Sequence, residues 1–226
     1  MKKLILLVAG YGYEKPFKQM GELVEDIDLF MQSPEKFKLV VFTGGEDVHP
    51  AMYGHTSPKG LCYFNAARDV KEQIIYEFAK DNNIPMTGIC RGSQFLNVMA
   101  GGTLMHHIDH HGTMHYIETI DGTVMKVTST HHQMCVPAED GFVVAWSETK
   151  RSERYFGDKD AEVAYDGKEV EAIYYPDKKI FAVQYHPEYM DDKSMGLTWY
   201  KQAVHDLVHS TTAEFKRKYF KQQMVK

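Results

Sequence analysis

Ile84-Pro85-Met86-Thr87-Gly88-Ile89-Cys90-Arg91-Gly92-Ser93-Gln94 is the stretch on which the reading of the chain turns. Asn82-Asn83 ends a preceding helical pattern, and the run from Ile84 to Ile89 predicts a strand. Residues 91–100 have helical spacing and stop at Gly101-Gly102, a good C-terminal cap. Cys90 therefore sits between two glycines at a strand-to-helix turn, in the pattern G-x-C-x-G. A turn this tight projects its central side chain from the top of a sheet. The helix that follows offers unpaired N–H groups and a positive dipole end, which favour a thiolate and a developing oxyanion. A small buried cysteine at an ordinary turn is the plain alternative.

Outward from this turn, strands and helices alternate. Leu4 to Ala9 is a continuous apolar run closed by Gly10, as expected of a strand buried on both faces of a parallel sheet. Met20, Leu23, Val24, Ile27 and Phe30 or Met31 recur at helical spacing, so a helix is expected after Pro16. Leu39 to Phe42 reads as a second strand ending at Thr43-Gly44-Gly45. Asn65 to Lys80 reads as a helix with Val70, Ile74, Ile75 and Phe78 on one face. This order predicts a parallel α/β sheet with its functional loops at the C-terminal strand ends. Beyond residue 120, short strands are expected at Val124–Thr128, Phe142–Trp146, Ala161–Tyr165, Val170–Tyr175 and Ile180–Tyr185, with a closing helix over Lys193–His209. The Lys-rich segment from Glu214 onward reads as a solvated terminal helix. No repeat or low-complexity linker divides the chain, so residues 1–226 are expected to form a single domain with a C-terminal tail from about residue 210.

Composition narrows the function classes. The 226 residues carry 26 Lys and Arg against 31 Asp and Glu, a formal net charge of −5, with 43% hydrophobic and 25% charged residues. These values suit a globular chain with a sizeable core and exclude disorder, collagen and a disulfide scaffold. The acidic balance argues against nucleic-acid binding, and no apolar stretch reaches the ~20 residues of a membrane span. Three cysteines, Cys62, Cys90 and Cys135, fit a reducing compartment. The apolar run at Leu4–Ala9 is short for a secretory leader, and no small-x-small cleavage site follows it, so the cytoplasm is the expected location.

Two further segments supply what a cysteine nucleophile needs. Gly44-Gly45 ends a strand parallel to the one before Cys90, and one of its backbone N–H groups can join that of Arg91 in an oxyanion hole, although an ordinary strand-end turn has the same look. Tyr185-His186-Pro187-Glu188 follows the apolar run Phe181-Ala182-Val183. In extended chain, residues i and i+2 point the same way, so Glu188 can hold one ring nitrogen of His186 and leave the other for a thiol. A surface turn is the alternative for that segment.

Gly88–Gln94, Gly44-Gly45-x-Asp47 with Pro50 and Tyr53 behind it, and His186-Pro187-Glu188 occur in an order that resembles class I glutamine amidotransferase-like enzymes. Phe95-Leu96-Asn97-Val98 before Gly101-Gly102, Arg68-Asp69, and Ser129-Thr130-His131-His132-Gln133 resemble more narrowly the γ-glutamyl hydrolase and γ-glutamyl-γ-aminobutyrate hydrolase branch. The resemblance runs from Leu39 to Glu188. It implies a flavodoxin-like three-layer α/β sandwich with a mostly parallel central sheet, and a Cys90–His186–Glu188 triad that cleaves a γ-glutamyl amide through a thioester. Gly44 or Gly45 with Arg91 would form the oxyanion hole, and Gln94, His132 and Gln133 would face a small-molecule γ-glutamyl substrate. A glutaminase subunit serving a separate synthetase is the alternative, and a metal-binding or non-catalytic regulatory relative is a further one. No G-x-x-x-x-G-K-[ST] occurs, so the amine-releasing hydrolase is preferred.

Two features depart from that branch. Only about 30 residues separate the first strand from Leu39, which shortens the N-terminal part of the sheet. Histidine is dense after the turn, at His106, His107, His110, His111 and His115. Without HExxH or paired cysteines, and with Gly112 interrupting, these are expected on an exposed polar loop, and neither a metal nor another cofactor is expected. Cys62 and Cys135 lack a base at matching spacing and are expected to be structural.

Overall fold

The computed structural model describes residues 3–220. Its nine-stranded central sheet contains β1 (Leu4–Val8), β2 (Glu22–Val24), β3 (Phe37–Phe42), β4 (Met86–Ile89), β5 (His115–Thr119), β6 (Val124–Val127), β7 (Phe142–Ser147), β8 (Val170–Tyr175) and β9 (Ile180–Val183). The spatial order is β2-β1-β3-β4-β9-β8-β7-β5-β6. Strands β2 through β9 in that order run parallel, and the remaining pairs are antiparallel. Helices α1 (Ile27–Gln32), α2 (Ala66–Asp81), α3 (Arg91–Met99), α4 (Met195–His209) and α5 (Thr212–Tyr219) complete the frame.

Strand alternation divides the core into two layers. Ile5, Leu7, Leu39, Val41, Phe181 and Val183 pack under α4 and α5. Leu6, Val8, Val40, Phe42, Ile180 and Ala182 pack under α1, α2 and α3. Both faces of these strands are buried, which is why they read as unbroken apolar runs. The result is the expected flavodoxin-like three-layer sandwich.

Four expectations about the fold need correction. Residues 20–24 are not helical: Glu22, Leu23 and Val24 pair in parallel with Leu4, Ile5 and Leu6 as an edge strand. Leu23 and Val24 then face opposite core layers, a period of two that five positions cannot distinguish from a helical repeat. The helix starts only at Asp26, whose side chain accepts from the Leu29 N–H at 2.8 Å. On α2 the buried face is Asp69, Glu72, Ile75, Tyr76 and Ala79, while Val70 and Ile74 are 59% and 58% exposed. Charge pairing beneath the helix turns it away from its most apolar stripe. The expected strand at Ala161–Tyr165 shrinks to Glu162–Val163, part of a small sheet with Tyr155–Phe156 and His107–Ile108.

The terminal helix is anchored rather than solvated. A capping box between Thr211 and Glu214 opens α5, and Phe215, Tyr219 and Phe220 are buried in the core. Phe215 stacks on Tyr174 of β8 with ring centroids 4.2 Å apart. Residues 221–226 of the expected tail lie outside the described residues. Among those described, no helix is long and apolar enough to cross a membrane.

Candidate active site

Cys90 occupies the turn between β4 and α3 with φ 53° and ψ −112°. Its N–H donates to the Val183 carbonyl at 2.9 Å, and its carbonyl accepts from Ser93 and Gln94, so the strand end and the helix start grip it from both sides. A non-glycine residue held there stores on the order of 1–3 kcal/mol of strain. Close approach of α3 to β3 requires the flanking glycine, because a Cβ on Gly92 would collide with the Phe42 carbonyl.

The thiol opens into a cavity of about 420 Å³ lined also by His186, Gly45, Gln94, His132 and Tyr189. That volume suits a small ligand. His186 follows β9, its Nδ1 is 2.6 Å from Glu188 Oε1, and its Nε2 is 2.8 Å from Thr130 Oγ1. Its ring stacks on Tyr189 at 4.9 Å. Burial disfavours the imidazolium, but the nearby Cys90 and the hydrogen-bonded Glu188 outweigh it and raise His186 to about 10. Cys90, His186 and Glu188 are thus gathered at one end of the sheet, with a carboxylate holding one nitrogen of the imidazole.

The Gly44-Gly45 loop reaches the same cavity. Arg68 of α2 donates from Nη2 to the Gly44 carbonyl at 3.0 Å and to the Thr43 carbonyl at 3.1 Å. In a trans peptide the C=O and N–H point in opposite directions, so holding the Gly44 oxygen turns the Gly45 N–H away from Arg68. Gly45 has φ 142°, and a Cβ there would collide with the Arg68 guanidinium, so only glycine fits. Arg91 is the first residue of α3, and its N–H has no acceptor within the helix. Its side chain is buried and pairs with Asp69 and Glu72, while Glu72 also accepts from Arg68 Nε at 2.7 Å. One carboxylate on α2 therefore ties the cysteine turn to the glycine loop.

The peptidase C26 family model matches residues 22–152, more than half of the chain. The chain belongs to the peptidase C26 family. A Lactococcus lactis subsp. cremoris protein described as glutamine amidotransferase-like is 36% identical over 56% of this C26 chain and 68% of its own length. A Mycobacterium tuberculosis protein described as a glutamine amidotransferase is 32% identical over 66% of the chain and 50% of its own. A carbamoyl phosphate synthase small chain of Helicobacter hepaticus is 32% identical over 57% of the chain and 29% of its own length. The chain thus spans half or less of the length of several relatives it matches. In fold it is similar to a Thermoplasma acidophilum protein described as part of a GMP synthase, with a TM-score of 0.60 at 16% identity over 99% of this chain and 98% of that one.

The family match contains Gly44, Gly45, Cys90, Arg91, Gln94, His132 and Gln133, and it ends before His186 and Glu188. Gln94 and His132 line the cavity of the C26 chain, and His132 Nε2 lies 3.2 Å from Asp47 Oδ1. Gln133 does not line it. Its side chain is buried and donates to Cys62 Sγ at 3.2 Å and to the His106 carbonyl at 3.3 Å. Thr130, His131 and His132 line the cavity in succession, and the chain turns inward at Gln133, just before the strand at Met134–Val136.

Cys62 and Cys135 are buried free thiols, and burial pushes both upward from the ordinary cysteine value. Of the five histidines expected on an exposed loop, His106, His111 and His115 are buried, His107 is half-buried and His110 is exposed; His131 is buried as well. Sequence reasoning missed Tyr13, Thr130 and Tyr189 on the cavity wall. Burial and the nearby Glu188 push the Tyr13 phenol up, which keeps it a donor. Tyr13 follows the end of β1, so the strand-end rule for parallel sheets was the signal available for it.

Proposed function

We propose that this C26 protein is a cysteine-dependent hydrolase that cleaves a γ-glutamyl amide bond through Cys90, His186 and Glu188. The observation that carries the reading is Cys90 at a strained strand–helix turn, in one cavity with a histidine whose Nδ1 is held by Glu188 at 2.6 Å. The Cys90 thiolate attacks the γ-carbonyl carbon, and the carbonyl electrons move onto oxygen beside the N–H groups of Gly45 and Arg91. Collapse of that oxyanion expels the amine, which takes its proton from the His186 imidazolium and leaves a glutamyl thioester. Neutral His186 then accepts a proton from water as the water attacks, and glutamate leaves with the thiolate restored. Each oxyanion N–H contributes about 3 kcal/mol of barrier lowering, by comparison with other enzymes. Glu46 and Asp47 offer carboxylates to the substrate's α-ammonium group, and Gln94 and His132 offer donors to its α-carboxylate.

The second reading is an ammonia-supplying component of a synthetase, favoured by the similarity to carbamoyl phosphate synthase small chains. Against it stands the glycine loop, which Arg68 of the same chain orients without a partner. Glutamate release from glutamine and from a panel of γ-glutamyl amines, wild type beside Cys90→Ala, separates the two. Cys90-dependent release from a γ-glutamyl amine supports the free-standing hydrolase. Release from glutamine alone, rising when a synthetase is added, supports the ammonia supplier. No Cys90-dependent release from any substrate overturns both.

A further inference from the structure

His111, His115, His131 and Glu171 come together behind the wall of the catalytic cavity, although His111 and Glu171 are 60 positions apart. All four are buried, and one ligand-type atom from each lies within 4.8 Å of the others. Glu171 Oε1 is 3.0 Å from His111 Nδ1, 2.8 Å from His115 Nε2 and 3.2 Å from His131 Nε2. The remaining ring nitrogens also meet acceptors. His115 Nδ1 is 2.9 Å from the Thr113 carbonyl, His131 Nδ1 is 2.9 Å from the Gln133 carbonyl, and His111 Nε2 is 3.0 Å from Glu169 Oε2.

Hydrogen bonds alone do not satisfy this arrangement. Six ring nitrogens face acceptors, while three neutral imidazoles own three N–H groups. Neutral rings would aim three lone pairs at oxygens. Fully protonated rings would bury three cations with centroids 5.1, 5.0 and 6.4 Å apart, against two carboxylates. Glu171 Oε2, moreover, is buried without a hydrogen-bond partner among the described residues.

We propose that this cluster binds a divalent transition-metal cation, zinc being the one its donors suit. Three imidazole nitrogens and one carboxylate oxygen make a closed four-donor set of the structural type. The Thr113 and Gln133 carbonyls and Glu169 accept from the outer ring nitrogens, as the supporting partners of metal-bound histidines do, and so select the tautomer whose lone pair faces the ion. A 2+ ion neutralises Glu169 and Glu171 and leaves all three imidazoles uncharged. His131 also borders the catalytic cavity, and Thr130 beside it contacts His186. The ion would therefore staple the 128–133 loop to β5 and β8 and hold one cavity wall, whatever reaction the cavity performs.

The test needs no activity measurement. Wild-type protein purified without chelators is expected to carry stoichiometric zinc by elemental analysis. After chelator dialysis, added Zn2+ should raise the unfolding temperature. Co2+ should develop the visible absorption of tetrahedral nitrogen and oxygen ligation, without a thiolate charge-transfer band. That absorption should vanish in Glu171→Gln and His115→Gln and survive in His205→Gln and Cys62→Ser. Should the variants fail to fold, the wild-type titrations decide alone. Absence of retained metal together with no response to Zn2+ or Co2+ overturns the proposal, and so does a cobalt signal with thiolate character or one that persists in a folded Glu171→Gln.

Discussion

Arg68 donates to the Gly44 carbonyl at 3.0 Å, so a side chain on α2 sets the orientation of a peptide plane in the cavity that holds Cys90. The same guanidinium reaches Glu72, and Glu72 reaches the buried Arg91 beside the nucleophile. Backbone donors have no side chain of their own to hold them, and here an ion network from one helix supplies the constraint.

Arg68→Lys is accordingly expected to lower kcat on the reactive γ-glutamyl amide about 100-fold, the cost of misplacing one oxyanion donor. A lysine ammonium is a point charge and cannot span two carbonyls and Glu72 as the guanidinium fork does. Alkylation of Cys90 by iodoacetamide, which develops no oxyanion, should stay close to the wild-type rate. An equal loss in both assays would mean that the whole site had collapsed.

Replacing the nucleophile separates chemistry from strain. Cys90→Ala and Cys90→Gly should both abolish turnover. Because φ at this position is 53°, the glycine variant should be the more stable of the two by about 1–3 kcal/mol in urea unfolding. That inverts the ordinary order, in which alanine exceeds glycine by roughly 0.5–1 kcal/mol. Finding the ordinary order would show that the turn carries no strain.

His186 is held up to about 10, by Cys90 and Glu188 acting against burial. A folded-state value above the unfolded ~6.5 means that the folded protein holds the proton more tightly. Its contribution to stability is then complete below about pH 6.5 and lost as pH climbs through about 10. Urea unfolding across that window should show the wild type losing its advantage over His186→Gln as pH rises. An NMR titration should place the His186 ring lower in Glu188→Gln than in wild type.

The helix α5 offers a prediction on stability alone. Phe215→Ala should cost about 3–5 kcal/mol, as removal of a buried aromatic does. Arg217→Ala, on the exposed side of the same helix, should change stability by less than ~0.5 kcal/mol. Chemical denaturation of the two variants checks both, and near-equal midpoints would mean that α5 is not docked.

The α/β alternation, the turn at Cys90 and the His186-Pro187-Glu188 segment were legible in the sequence, since each rests on local chemistry. Strands buried on both faces announce themselves as apolar runs, and a tight turn announces itself through its glycines. The edge strand at Glu22–Val24 was not legible, because three residues carry too short a period and its identity comes from pairing with β1. The burial of α2 by Asp69 and Glu72 was equally hidden, as carboxylates go inside only where Arg91 and Arg68 wait for them.

By itself the sequence determined the fold class and the residue types at the candidate site, because periodicity, glycine turns and a cysteine before a helix are properties of neighbouring residues. Only the tertiary structure decided which residues share a cavity. It sent Gln133 inward and His132 outward, brought Tyr13 and Thr130 to the site, and gathered His111, His115 and His131 around Glu171. The physical reason is distance along the chain. Such meetings depend on strand order and on which side of each strand faces the core, and no local propensity encodes either.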